Sequence, residues 1–189
     1  MPITDVENRN FQSPLNFEFR VDKLTDFNYF VQKINIPDLN IPVAVNGSAT
    51  PFAKIQYTGD HLEFGELSVD FKVSEGLYNW YEIFSWMQGI GFPESIEQYG
   101  KMKDGLTPDL NGNISKRPLP QRTHGGVYGQ GTLLINTSQN NPILKITFVD
   151  LHPVSLGEMV FDTRETDVLY VTATVSFKYD YLTVEKLVV

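Results

Sequence analysis

One stretch near the end of the chain limits the possible folds more than any other. Residues Asp167 to Tyr181 read DVLYVTATVSFKYDY, in which the odd positions are mostly apolar and the even positions are mostly polar. Successive side chains of a strand point to opposite faces of a sheet. This alternation therefore predicts one long β-strand with a buried apolar face and a polar face in contact with water. Such a strand is typical of a sheet whose second face borders bulk solvent, a ligand cavity or the lumen of an assembly.

Shorter strands are predicted elsewhere in the chain. Leu15 to Val21 and Glu66 to Val73 alternate in the same way, each with one polar face. Phe27 to Ile36 predicts the second strand of an N-terminal hairpin. Gly131 to Asn136 and Pro142 to Asp150 predict another hairpin.

A helix is predicted from about Gly76 to Gln88, with Ser74 and Glu75 as its N-cap region. Its apolar side chains recur at three- and four-residue spacing, which predicts one face packed on the sheet. These side chains are Leu77, Trp80, Tyr81, Phe84 and Met87. The aromatic residues of this helix, Trp86 included, could also line a ligand pocket, but a position in the core is the favoured interpretation.

Two long segments interrupt the strand pattern. Residues 37–65 contain three prolines and the turn dipeptide Asn46-Gly47, and residues 90–130 are rich in proline and glycine without apolar periodicity. Ordinary connections have about 4–6 residues, so we interpret the first segment as a functional loop and the second as an insertion. The 189 residues are predicted to form a single domain, 1–189. The fold class is mainly β, an antiparallel β-sandwich or barrel with one packed α-helix.

Composition excludes several classes of function. The chain has no cysteine, which rules out disulfides and thiolate sites, and its formal net charge of −8 argues against a protein that grips nucleic acid through phosphates. No apolar run reaches the roughly 18 residues of a membrane span, so no membrane insertion is expected. The first residues, MPITDVENRNFQSP, do not have the pattern of a signal peptide.

No pattern of catalytic residues is found. His61, His124 and His152 are far apart in sequence, and HGGVYGQG at 124–131 lacks the partners of a nucleophile elbow or a phosphate loop. The stretch from Asp109 lacks the glycine and glutamate of a calcium loop. We therefore expect no enzyme activity, no metal and no cofactor.

Three segments in a fixed order resemble the tail tube proteins of contractile-tailed (T4-like) bacteriophages. The first is LNFEFRV followed by FNYFVQKINIPDLNIPV, and the second is TPFAKIQYTGDHLEFGELSVDFKVSEGLYNWYEIFSWMQGIG. The third is ILKITFVDLHPVSLGEMVFDTRETDVLYVTATVSFKYDYLTV, whose DLHPVSLGE turn is the most specific signal. The match depends on the order of these segments and on their general residue pattern rather than on a rigid motif.

The resemblance implies a structural virion protein, the main subunit of a tail tube. Such subunits form sixfold rings that stack into a tube inside a contractile sheath. The partners implied are further copies of the chain, the tail sheath protein, baseplate proteins and genomic DNA, which passes through the lumen without specific binding during DNA ejection. The implied location is the virion tail, assembled in the host cytoplasm.

Two sets of residues receive roles from this resemblance. The polar stripes of two predicted strands are expected to face the lumen, and part of the segment 37–65 is expected to reach the next ring. The lumen-facing residues are Glu66, Ser68, Asp70, Thr172, Thr174 and Ser176, and the stacking residues are Asn40, Val43, Val45, Asn46 and Ser48. An ordinary solvated face and an ordinary loop are the alternatives.

Two rival functions stay open on the sequence. A baseplate tube-initiator protein would have the same fold, and the insertion at about 90–130 and the tail 185–189 depart from the simplest family members. A small-ligand-binding β-barrel is the rival from another class, although it needs a closed apolar interior within one chain.

Overall fold

The computed structural model describes residues 11–46, 55–103, 106–108, 114–116, 127–162, 164 and 170–187. Thirteen strands and three helices are formed by this part of the chain. In chain order they are β1 (Phe17–Val21), α1 (Asp26–Tyr29), β2 (Val31–Ile34), β3 (Leu39–Asn40), β4 (Val43–Asn46), β5 (Ile55–Thr58), β6 (Glu63–Phe64), β7 (Leu67–Lys72), α2 (Tyr78–Gly91), α3 (Ile96–Lys103), β8 (Leu106–Pro108), β9 (Ile114–Lys116), β10 (Gly129–Asn136), β11 (Pro142–Leu156), β12 (Thr172–Lys178) and β13 (Tyr181–Lys186).

The main sheet is built on β11, whose 15 residues pair with different strands in their first and second parts. Strands β10 and β13 pair with its first part, and β12 pairs with its second part. The sheet continues through β1 beyond β10, and through β7 and β2 beyond β12. We call β1, β10, β11 and β13 the first half of the sheet, and β11, β12, β7 and β2 the second half. Every pairing in both halves is antiparallel, which confirms the predicted mainly-β fold class.

The prediction of one unbroken strand over Asp167–Tyr181 is wrong. Strand β12 begins at Thr172 and ends before a bend at Tyr179 and Asp180, and β13 follows the bend. The bend lies close to Asp150 of β11, whose φ of 56° interrupts a regular ladder. Both strands nevertheless run along β11, and the register of β13 continues into β12 as far as Pro153, beyond which it shifts by one residue. The path is therefore extended as the alternation predicts. Residues 165–169 lie outside the described part.

The hairpin of β10 and β11 is confirmed, but β11 does not end at Asp150 as predicted. It continues to Leu156 because β12 provides a second partner, with Pro153 opposite Phe177 and Leu156 opposite Val175. This continuation is what joins the two halves into one sheet.

The hydrophobic core draws on both halves of the sheet and on α2. Phe27 lies at its centre, with its ring centroid 5.0 Å from that of Phe71 and 6.2 Å from that of Phe177, both in edge-to-face geometry. The buried apolar side chains are Phe19, Val21, Leu24, Phe27, Leu67, Val69, Phe71, Ile83, Trp86, Leu133, Ile146, Phe148, Leu151, Ala173, Val175, Phe177 and Tyr179. The alternating positions of β7 and β12 are thus buried as predicted.

Helix α2 is confirmed, but its predicted buried face is only partly right, since Trp80 and Met87 pack against the core without being fully buried. The buried residues of the helix are Asn79, Ile83, Trp86 and Gly89, whereas Phe84 of the predicted stripe is 38% exposed. The buried Asn79 donates from Nδ2 to the carbonyl oxygen of Lys72 at 2.7 Å and accepts the backbone N–H of Ser74 at 3.1 Å. Hydrophobicity alone places an asparagine outward, so the spacing predicted a face displaced by about one residue.

Helix α1 replaces the start of the strand predicted over Phe27–Ile36. The carboxylate of Glu82 on α2 accepts the backbone N–H groups of Thr25 at 3.2 Å, Asp26 at 3.0 Å and Phe27 at 3.2 Å. The first amides of a helix have no partner within the helix, so this carboxylate satisfies them from another element. A contact between elements 55 residues apart leaves no local sequence signal.

The region 90–130 contains more regular structure than an extended loop. Helix α3 packs against α2, with the rings of Phe92 and Tyr99 6.2 Å apart, and β8 pairs with β9. Neither α1 nor α3 was predicted. No helix in the described residues is long and apolar enough to cross a membrane.

Candidate assembly surfaces

The predicted lumen residues of β7 and β12 lie side by side on one face of the second half. Ser68 is opposite Ser176, Asp70 is opposite Thr174, and Thr172 is opposite Lys72. Thr174 Oγ1 donates to Asp70 Oδ1 at 2.7 Å. We call Ser68, Asp70, Thr172, Thr174 and Ser176 the polar face.

The sixth predicted lumen residue, Glu66, is exposed and lies one residue before β7. Its carbonyl oxygen accepts a hydrogen bond from Asn35 Nδ2 at 3.0 Å. It therefore borders the polar face without belonging to the ladder that forms it.

The strands that carry the polar face are basic, although the chain is acidic. Lys33, Lys72 and Lys178 share this side of the sheet with Asp70, the single carboxylate on these strands. Lys33 Nζ lies 3.5 Å from Asp70 Oδ2. Sequence reasoning missed this local excess of positive charge because it considered the net charge of −8 of the whole chain.

The first half has an exposed face of its own that sequence reasoning did not single out. Its charges are balanced: Arg20 pairs with Glu18, and Lys145 Nζ lies 3.6 Å from Glu185 Oε2. Strand registers place Glu18, Leu134, Lys145 and Glu185 in one row, and Arg20, Thr132, Thr147 and Thr183 in the next. The alternation in Leu15–Val21 was the available signal for it.

The predicted stacking residues lie on an arm formed by two separate ladders, β3 with β6 and β4 with β5. Asn40 is in β3, and Val43, Val45 and Asn46 are in β4, whereas Ser48 lies outside the described residues. Pro42 lies between the two ladders, and its carbonyl oxygen accepts the N–H of Gly59 at 2.8 Å.

Apolar side chains cover the arm. Leu39, Ile41, Val43 and Tyr57 are between 52% and 55% exposed. Several large apolar side chains left exposed on neighbouring short strands are typical of an interaction surface rather than of a solvated loop.

Desolvation shifts the pKa values of two neighbouring groups in the turn after β1, where Asp22 is exposed and Lys23 is partly buried. Desolvation raises the pKa of Asp22 although its Oδ1 accepts the N–H of Gln130 at 2.9 Å. Desolvation lowers the pKa of Lys23 to about 8, against the opposing attraction of Asp22. Lys23 Nζ also lies 4.9 Å from the ring centroid of Trp86.

A third shifted group is Tyr179, in the bend between β12 and β13. Burial raises the pKa of its hydroxyl to about 12, and the negative charge of Asp38 acts in the same direction. Its hydroxyl has no hydrogen-bond partner among the described residues. Across all the residues that the structure describes, no group of three or more His, Cys, Asp or Glu side chains could hold a metal ion.

Comparison with known proteins defines the class of fold. No protein-family model matches the chain. No curated protein sequence matches it either. Solved structures do match over nearly the full length.

A chain of the anti-feeding prophage tube-terminating cap, solved by cryo-EM, superposes with a TM-score of 0.61 at 12% identity, covering 99% of this chain and 100% of that chain. A chain of the PVC sheath–tube complex, an extracellular contractile injection system in its extended state, gives 0.58 at 11% identity, with 95% and 94% covered. A chain of the anti-feeding prophage baseplate gives 0.55 at 10% identity, with 89% and 90% covered.

The protein therefore has the fold of tube-like proteins of contractile injection systems. This confirms, for the fold, the resemblance to contractile-tail tube proteins. The assemblies that contain the similar chains are tubes, caps and baseplates, which are structural parts and not enzymes.

Proposed function

We propose that the protein is the main subunit of a contractile-tail tube, a single-domain chain that assembles with copies of itself into stacked sixfold rings. The observation that carries the proposal is the match, over 95% of this chain, to a chain of a sheath–tube complex. Open strand edges support it, since the outer edges of β1, β2 and β13 have no strand partner in the described part of the chain. Exposed edges promote aggregation, and closing them between subunits removes that hazard.

The second half of the sheet is suited to form the wall of the lumen. Its four strands alternate in direction, so a rotation about a ring axis places the edge of one copy antiparallel to the edge of the next. A closed barrel built in this way has one face packed on the cores of its subunits and one face in water. The polar face, with Glu66 at its border, would line the lumen.

The arm is proposed to stack one ring on the next. Its exposed apolar side chains would be buried against a neighbouring ring, which gives them a role that an ordinary loop does not. Asn40, Val43, Val45, Asn46 and Ser48 remain the predicted contact residues.

The partners proposed are a surrounding sheath, a baseplate and a passenger in the lumen, with genomic DNA as the passenger of a phage tail. The lysines near the polar face would retain DNA at low salt and release it as salt rises. The same fold in a cap and a baseplate favours one alternative, a tube initiator or terminator. A ligand-binding barrel is less well supported, because the core between the two halves is filled by side chains.

Electron microscopy of the purified protein at rising concentration, with mass measured in parallel, tests the proposal. We expect rings and then hollow tubes of uniform diameter. A strict monomer that takes up an apolar dye in a saturable way would contradict it and support the ligand barrel.

Cysteine labelling then tests which face lines the lumen, because the chain has no cysteine of its own. Thr174→Cys lies on the polar face and Thr147→Cys on the exposed face of the first half. We expect assembly to protect Thr174→Cys from a bulky polymer-linked maleimide, while Thr147→Cys stays reactive. Protection of Thr147→Cys with continued reactivity of Thr174→Cys would indicate that the exposed face of the first half lines the lumen.

A further inference from the structure

Among the described residues, the first half of the sheet ends in two edges without a strand partner, on β1 at one side and on β13 at the other. An unpaired edge exposes backbone N–H and C=O groups that another strand can bond. Whether two such edges fit each other depends on which residues point their backbone groups outward and on which face those residues carry their side chains.

On β1 the outward groups belong to odd-numbered residues. The N–H of Asp22 donates to the carbonyl of Gln130 at 3.0 Å, and the carbonyl of Asn16 accepts from the N–H of Asn136 at 3.0 Å. Alternate residues of an antiparallel strand bond to opposite sides, so even positions face β10 and odd positions face away.

One of these outward positions is already occupied. The N–H of Val21 donates to Asn28 Oδ1 at 2.8 Å, and Asn28 Nδ2 donates to the carbonyl of Val21 at 3.0 Å. The side chain of Asn28 thus bonds Val21 as a partner strand would, and it leaves Phe17 and Phe19 as the open positions. Their side chains are on the core side of the sheet, and Phe19 is buried.

On β13 the outward groups belong to even-numbered residues. The N–H of Leu187 donates to the carbonyl of Ile143 at 2.9 Å, so odd positions face β11 and Leu182 and Val184 face away. Val184 lies opposite the buried Ile146, which places its side chain on the core side. It is nevertheless 57% exposed, so the core side of the sheet extends past the covering elements at this edge.

The two edges also agree in direction. The first half has four strands of alternating direction, and rotation about a ring axis does not reverse them. Strand β13 of one copy therefore meets β1 of the next copy antiparallel. In such a pair the residues that exchange hydrogen bonds have their side chains on the same face, which here is the core side for both partners.

From this geometry we propose that β13 of one subunit pairs with β1 of its neighbour, with Val184 opposite Phe17 and Leu182 opposite Phe19. The inference rests on the proposed ring. It adds to the barrel around the lumen a second strand pairing between subunits, in the first half of the sheet, and we call this pairing of β13 with β1 the joint. The edge of β1 opens into a cleft of about 590 Å³ lined by Leu15, Phe17 and Tyr29 among others, and this cleft would receive the side chain of Val184.

Charge favours this register over one of the two registers shifted by two residues. It sets Glu18 opposite Thr183 and Arg20 opposite the exposed ring of Tyr181, an arrangement that suits a cation–π contact. A shift by two residues would set Glu18 opposite Glu185, and like charges directly opposite each other destabilise a sheet.

Disulfide cross-linking tests the joint. Glu18 and Thr183 would form a pair without mutual hydrogen bonds, in which Cα atoms lie about 4.5 Å apart, within disulfide range. We expect oxidation of assembled E18C/T183C to give a ladder of covalent multimers up to the ring size on non-reducing gels. E18C/E185C, shifted by two residues, and E18C/T147C, whose second cysteine lies inside the sheet, serve as controls and should give at least about tenfold less product.

Microscopy of the same samples separates the possible outcomes. If E18C/T183C forms rings but no cross-links, the pairing of β13 with β1 is overturned and the proposed function is left intact. This result is expected if a strand of the same chain occupies the cleft beside β1. Cross-links only in E18C/E185C overturn the register. Failure of every variant and of the unsubstituted chain to form rings contradicts both the joint and the proposed function.

A proline provides a second, independent test. Val184→Pro removes an N–H that points away from β11, so the subunit keeps its own ladder and folds. We expect Val184→Pro to raise the concentration needed for ring formation at least about tenfold over Val184→Ala, which keeps the N–H. Equal assembly of the two variants, with equal circular dichroism spectra, overturns the joint.

Discussion

At the scale of single residues, side-chain groups replace backbone partners at two places near the N-terminal hairpin. Asn28 bonds both backbone groups of Val21, and the carboxylate of Glu82 bonds the first amides of α1. Both contacts explain why a short helix stands where the sequence pattern predicts a strand. Each uses a common polar residue at a distance along the chain that no periodicity reveals.

Glu82→Ala should lower the free energy of unfolding by about 1–2 kcal/mol, because three amides at the start of α1 lose a charged acceptor. Urea denaturation followed by circular dichroism would measure the loss. The matched control is Glu158→Ala on the exposed surface. An equal effect of both substitutions would show that Glu82 has no special role.

Lys23 predicts a pH dependence of stability. Its pKa is about 8 in the folded state and near 10.5 when unperturbed, so the unfolded chain binds more protons between these values. The stability contributed by this group therefore rises as the pH increases from about 8 toward 10.

Denaturant unfolding at pH 7 and pH 9.5 tests this dependence. Lys23→Met should remove the rise, and Lys178→Met, at an exposed position of β12, should keep it. A Lys23→Met variant with the slope of the unsubstituted chain would count against a partly desolvated ammonium at this position.

At the scale of elements, alternation predicted β1, β7 and the core positions of β12, because a strand buried on one face carries its pattern in its own residues. It did not predict where strands end. The bend at Tyr179 and the continuation of β11 past Asp150 depend on partners from distant parts of the chain. The phase of α2 failed for a related reason, since the buried Asn79 takes its place through hydrogen bonds and not through hydrophobicity.

The candidate site was predictable to a similar extent. Strand alternation identified Ser68, Asp70, Thr172, Thr174 and Ser176, and the register placed them together. The lysines beside them and the open edges were not found, because both depend on which strands become neighbours.

Deleting residues 40–50 should leave a folded subunit that forms rings but does not stack. Among the described residues of the deleted segment, no side chain belongs to the buried core, and Phe64 of β6, which packs against the core, is kept. The deletion should therefore remove the proposed contact between rings and leave the core in place. Circular dichroism would report the fold, and electron microscopy would report the length of the assemblies. Tubes of unchanged length would show that the arm does not stack the rings.

At the scale of the whole molecule, the sharing of β11 by both halves has a mechanical consequence. In a ring built as proposed, each half contributes four strands to a different wall, and the same backbone runs through both walls. Torque applied to the outer wall would then load covalent bonds and in-plane hydrogen bonds rather than a slipping contact between two layers. The tube would turn as a rigid shaft, and a twist imposed at one end would reach the other without being dissipated between the walls.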